Sequence, residues 1–193
     1  MGLERTFREF TSQLHRLNDR LRELRLTVVE DRPARNDAVV VDNLEYAVED
    51  LLGWVTESLR HARAAERAVA HPLDLDLARR ELGACQERLQ RMDQVYSANL
   101  VAYERMKDLA SFGSERRGEW PSWVTSVKQG IEHCRQPLDD CRGRLAECWQ
   151  DIAERAGMTS ISVRTTNIGQ KIETHQAAEA ETGAAEWANQ GIT

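Results

Sequence analysis

The sequence predicts an all-α protein: an antiparallel up-down-up-down four-helix bundle with coiled-coil-like heptad seams and an extended, largely flexible C-terminal tail. Three observations lead there. Apolar residues recur at steps of three and four through four successive segments. Turn-forming stretches containing Pro, Gly or Asp separate the segments. Beyond residue 157 the pattern stops and the composition changes, so residues 1–157 form the expected bundle and 158–193 its tail.

The first seam reads Leu3, Phe7, Phe10, Leu14, Leu17, Leu21, Leu24. Steps of three and four place these side chains on one face of a helix. The intervening positions, mostly Arg, Glu, Asp, Gln and Ser, form a solvated face. Pro33 and Asp37, in the stretch EDRPARND, end this helix and offer a cap for the next.

The second seam runs Val41, Leu44, Val48, Leu51, Val55, Ser58, Ala62, Ala65, Val69. Asp42 with Glu45 three residues on matches a capping box, so the helix is expected to begin after the apolar run does. Pro72 breaks it, and Asp74 caps the third. That helix carries Leu75, Ala78, Leu82, Cys85, Leu89, Met92, Tyr96, Asn99, Tyr103, Met106 and Ala110. Asn99 is its polar member, with two readings: it fixes register or oligomeric state, or it faces water at a helix bend.

The stretch SFGSERRGE leads into the fourth seam: Trp120, Val124, Val127, Ile131, Cys134, Leu138, Cys141, Leu145, Cys148, Ile152. Pro137 lies inside it, where a proline removes a backbone donor and bends a helix. Gly157 is the expected C′ residue.

Helices of roughly 28 to 37 residues are ~40–55 Å long and can be matched side by side. Short connections make sequential neighbours antiparallel, which gives the closed bundle. In the competing geometry a three-helix body remains and the Leu3–Leu24 helix pairs between chains as a homo-oligomer. Its seam is the narrowest, nearly two in seven, as in a coiled coil. A connection of seven or eight residues lets that helix fold back, which favours the closed form.

Composition narrows the function classes. Apolar residues make up 41% and charged residues 30% of the 193-residue chain, a globular or bundle composition rather than a disordered one. The net charge of −6 argues against a general nucleic-acid binder. Among the 26 basic residues only Lys107, Lys128 and Lys171 are lysines, the skew of a GC-rich genome and so of a bacterial source. The N-terminal MGLERTFREF has no apolar core like that of a signal peptide, and no apolar run nears the length of a membrane span. The expected compartment is the cytoplasm.

The reactive side chains bear on catalysis and metal binding. Cys134, Cys141 and Cys148 repeat every seven residues, about 10.5 Å along a helix. Two of these sulfurs are therefore too far apart to share a zinc ion or a disulfide. The expectation is small apolar filling in a reducing compartment. A di-iron bundle needs Glu-x-x-His on two helices, yet Ser58 precedes His61 and Gly130 precedes His133 at that spacing. The chain has no G-x-S-x-G and no phosphate-binding glycine loop. No enzymatic activity, metal or cofactor is expected.

Two stretches suggest contacts instead. FGSERRGEWPSW gathers Phe112, Arg116, Arg117, Trp120 and Trp123 at one end of the bundle. Trp and Arg are the residue types most often energetic in interfaces, and they also suit membrane surfaces. The alternative is that Trp120 and Trp123 cap the core, with Pro121 at the first helical position.

The second stretch is TSISVRTTNIGQKI, where Ile161, Val163, Asn167, Ile168 and Ile172 follow a helical pattern with a β-branched one. Residues 173–193 hold four acids and no Lys or Arg, as expected of a mobile segment. An isolated strand is unstable, and a plain linker does not need this patterning. Residues 160–172 are therefore expected to be a linear motif that adds to a partner's sheet edge. The alternative is an intramolecular latch onto the bundle. The expected function is a non-enzymatic adaptor or scaffold for protein partners, and the alternative is a membrane-acting or effector bundle that rearranges to expose its seams.

Overall fold

The computed structural model describes residues 2–30, 38–70, 72–105 and 120–157, and every regular element among them is helical. The protein is all-α in these residues. Helix α1 spans Leu3–Arg25 and continues through a π-helical turn, Leu26–Glu30. Helix α2 spans Ala38–Val69. Helix α3, Leu75–Val95, passes through a second π turn, Tyr96–Leu100, into the short α4, Val101–Arg105. Helix α5 spans Trp120–Arg155.

The seams account for the core. Every first-seam residue from Leu3 to Leu24 is buried, as are Leu44, Val48, Leu51, Val55, Ser58, Ala62, Ala65 and Val69 on α2. On α5, Val124, Val127, Ile131, Cys134, Leu138, Cys141, Leu145, Cys148 and Ile152 are buried too. Together with α3 they form one apolar cluster. Removing these side chains from water is the main driving force for the packing.

Cross-helix pairs set the neighbours. Arg25 at the end of α1 pairs with Glu49 near the start of α2. Glu57 on α2 meets Arg88 on α3 at 2.6 Å. Asp93, late in α3, meets Arg142 on α5 at 3.1 Å, and Arg144 of α5 returns to Glu9 on α1 at 3.1 Å. These pairs sit largely at the surface, so each adds little stability. They mark the register of the packing beneath. Gly130 permits a close approach of α5 to α1, because a Cβ there would lie 2.9 Å from Leu24 Cδ1.

Helix ends follow their local chemistry. Asp74 accepts the Leu77 amide at 2.9 Å and caps α3. Gly157 closes α5 with φ at 68°, where its amide donates to the Glu154 carbonyl at 3.2 Å. A residue with a Cβ is disfavoured there. Pro137 does not interrupt α5, which remains helical on both sides of it.

Three expectations need correction. Helix α2 begins at Ala38, ahead of the Asp42–Glu45 pair, so that pair is not its cap. The buried face of α1 is wider than a coiled-coil seam: Thr6, Thr11 and Asn18 are buried as well. The cause is that α1 packs against both α2 and α5, so its flanks are covered along with its centre. On the third seam Asn99 is exposed and Leu100 takes the buried position. The π turn over Tyr96–Leu100 makes the step from Tyr96 to the next core residue four rather than three. Asn99 faces water.

Candidate interaction site

Of the side chains expected to meet a partner, the structure places Trp123. It lies in the first turn of α5 and is 6% exposed. Its indole N–H donates to the Thr27 carbonyl at 2.7 Å. Thr27 lies in the π turn that ends the α1 stretch, where terminal carbonyls lack intrahelical donors. The indole supplies one, and its ring joins the core. Trp120 begins α5, and its side chain lies outside the described residues. Arg116, Arg117, Ile161, Val163, Asn167 and Ile168 also lie outside them.

A second aromatic bond appears about two turns further along α5. Tyr96 is 4% exposed, and its hydroxyl donates to the Ile131 carbonyl at 2.6 Å. A buried phenol needs such a partner. Both aromatic bonds join a π turn to the first half of α5.

Several polar side chains between helices are engaged in specific pairs. Thr6 donates to Asp151 at 2.6 Å, joining the start of α1 to the end of α5. The Thr11 hydroxyl lies 3.1 Å from both the Phe7 carbonyl and Glu66 Oε2. His61 Nδ1 lies 2.6 Å from Glu81 across the α2–α3 contact, with both side chains half-buried. His15 Nε2 lies 2.9 Å from the Arg63 guanidinium. Two grooves of about 320 Å³ lie on the surface of α1, one lined by Glu4, Arg8, Arg63 and Glu66, the other by Arg5, Glu9, Arg16 and Arg144. Their charged linings differ from the mostly apolar lining of small-molecule sites.

Cys85, Cys134, Cys141 and Cys148 are free thiols in the core. Cys85 Sγ donates to the Ser58 carbonyl at 3.4 Å. Burial pushes the Cys85 and Cys134 thiols from the usual 9.0 up to about 12, and raises those of Cys141 and Cys148 as well. A nucleophilic cysteine needs the opposite shift. Among the described residues, no three His, Cys, Asp or Glu side chains gather as a metal ligand set.

The raised thiols predict alkaline sensitivity. The folded chain retains protons that the unfolded chain releases, so stability falls with pH where the two differ. The contribution is complete below the unfolded value near 9.0 and is lost as pH rises through about 12. Replacing Cys134, Cys141 and Cys148 together by Ala should cost about 1 kcal/mol per site at neutral pH. The same variant should lose stability less steeply than the parent above pH 9.0. Denaturant titrations of both chains across that range check the prediction.

No family model, no curated protein and no solved structure matches this chain. Among the described residues, no helix is long and apolar enough to cross a membrane.

Proposed function

We propose that the protein is a non-enzymatic adaptor or scaffold: a closed, antiparallel up-down-up-down four-helix body whose C-terminal tail docks a protein partner through residues 160–172. The observation that carries this reading is the occupation of the apolar seams within the chain. Phe7, Phe10, Leu82, Leu89 and Ile131 are buried against one another's helices. A partner must therefore bind elsewhere, and the remaining patterned apolar signal in the sequence is Ile161, Val163, Ile168 and Ile172. An extended SISVRT segment offers main-chain hydrogen bonds to a sheet edge and alternate side chains for specificity. The ring of cross-helix pairs from α1 through α2, α3 and α5 back to α1 supports the closed body. The seam through which the Leu3–Leu24 helix would pair with a second chain is buried in this one.

The stretch that precedes α5 in the sequence is the second proposed contact, through Arg116 and Arg117. The test uses the full chain in partner capture. Ile161→Asp with Val163→Asp should abolish capture, and Arg116→Glu with Arg117→Glu should weaken it, both with unchanged helicity. Unchanged capture by the first variant would sink the docking reading. Leakage from liposomes at neutral pH, caused by the unmodified protein, would favour a membrane-acting bundle instead.

A further inference from the structure

Helix α1 buries its seam against α2 and α5 and turns its other face to water. Along the α5 flank of that face runs a groove of about 320 Å³, lined by Arg5, Glu9, Ser12, Gln13 and Arg16 of α1 and by Arg144 of α5. Three guanidiniums therefore line it against one carboxylate. That carboxylate is shared, with Arg5 Nε at 2.8 Å and Arg144 Nη1 at 3.1 Å from Glu9. Arg144 also meets Glu147 through Nη1. A guanidinium carries five N–H donors, so Arg5 and Arg144 both keep donors for a ligand. Arg16 pairs with no acid among the described residues. Gln13 lines the groove, yet its Oε1 is buried and accepts no hydrogen bond among the described residues. A buried acceptor without a donor is costly. A turn of the terminal amide presents this oxygen to the groove.

We propose that this groove binds an extended, acidic peptide segment of a partner protein. Guanidinium and carboxylate match in plane and pair through two hydrogen bonds. Arg5 and Arg16 stand eleven residues apart, which is about 16 Å along the helix. An extended chain advances about 3.3 Å per residue. Two acidic residues about five positions apart therefore reach both ends. One carboxylate meets Arg5 and Arg144, and the other meets Arg16. Between them the main chain of the peptide crosses Ser12 and Gln13, where a backbone N–H donates to the Gln13 oxygen. That donor favours a peptide over a phosphate dianion, which brings acceptor oxygens alone. The site is separate from residues 160–172 and does not depend on their docking a partner.

An NMR titration of the full chain tests this. The probe is a hexapeptide with blocked termini, glutamate at its first and last positions, and glycine and alanine between. Amide signals of residues 5–16 and of those around Arg144 should shift as it is added. The same peptide with glutamine in place of both glutamates should leave them still. Arg16→Gln should weaken binding about tenfold or more, and Gln13→Leu by roughly two- to twelvefold. Arg22→Gln alters an exposed arginine of α1 outside the groove and should leave binding as it was. Equal weakening by Arg16→Gln and Arg22→Gln would show unspecific charge attraction and overturn the proposal. Shifts absent from the groove would do the same, as would a groove that takes inorganic pyrophosphate and not the peptide.

Discussion

Leu89→Asp should leave the protein unfolded or nearly so under native conditions. Leu89 is 2% exposed and lies on α3 within the shared apolar cluster. The substitution removes a buried aliphatic side chain, which costs about 2–5 kcal/mol when a cavity is left. It also places a carboxyl group in apolar surroundings, either charged and unpaired or held neutral by a raised pKa. Whole-domain stabilities are typically about 5–15 kcal/mol, so the combined loss is comparable to the total. Leu145→Asp on α5 should behave alike, since Leu145 is 6% exposed in the same cluster. Far-ultraviolet circular dichroism and a thermal melt read the outcome, and a native melting profile for either variant would contradict the packing given above.

The second large effect belongs to Phe10→Ala. Phe10 is fully buried on α1, in the same cluster as Phe7 and Leu14. Truncating a buried Phe to Ala costs about 3–5 kcal/mol through lost burial and the cavity that remains. Leu26→Ala is the matched control. Leu26 follows α1 directly but is 45% exposed, and its truncation should change stability by no more than about 0.5 kcal/mol. Denaturant midpoints for the two variants should therefore differ widely, although the positions are one short helix apart. Similar losses for both would mean that the buried face has been assigned to the wrong side of α1.

The contrast between Phe10 and Leu26 also shows what the sequence encodes well. A step of three or four repeated along a segment fixes a helix and its buried face together, because 3.6 residues complete one turn. From Val127 to Ile152 on α5 that rule alone names residues that are buried. Local signals worked where the chemistry is local: Asp74 caps α3 within three residues, and Gly157 closes α5.

The rule fails where the period is ambiguous. Asn99 and Leu100 stand three and four residues after Tyr96, and only the π turn selects Leu100. The signal was present in the apolar character of Leu100, but periodicity by itself favoured neither. The Asp42–Glu45 pair shows the same limit in reverse, a sound capping pattern four residues inside a helix that had already begun.

Polar residues between helices were illegible for a different reason. Thr6 and Thr11 read as surface positions because their partners, Asp151 and Glu66, come from distant parts of the chain. Trp123 and Thr27 are 96 residues apart, and His61 and Glu81 are 20. No local pattern announces such pairs. A hint existed at Tyr96, a phenol among Leu, Cys and Met, which when buried must find an acceptor. Of the candidate contact residues, Trp123 was legible as an aromatic at a helix start, and its second reading, a cap on the core, matches its burial.

In the proposed function the tail is the primary docking element, and the Arg116–Arg117 contact is secondary. The most direct test of this claim fuses residues 158–193 to an inert carrier and asks whether the fusion captures the protein that the intact chain captures. The account predicts capture by the fusion and its loss when Ile161 and Val163 are both changed to Asp. Normal capture by a chain ending at residue 157, with none by the fused tail, would contradict it.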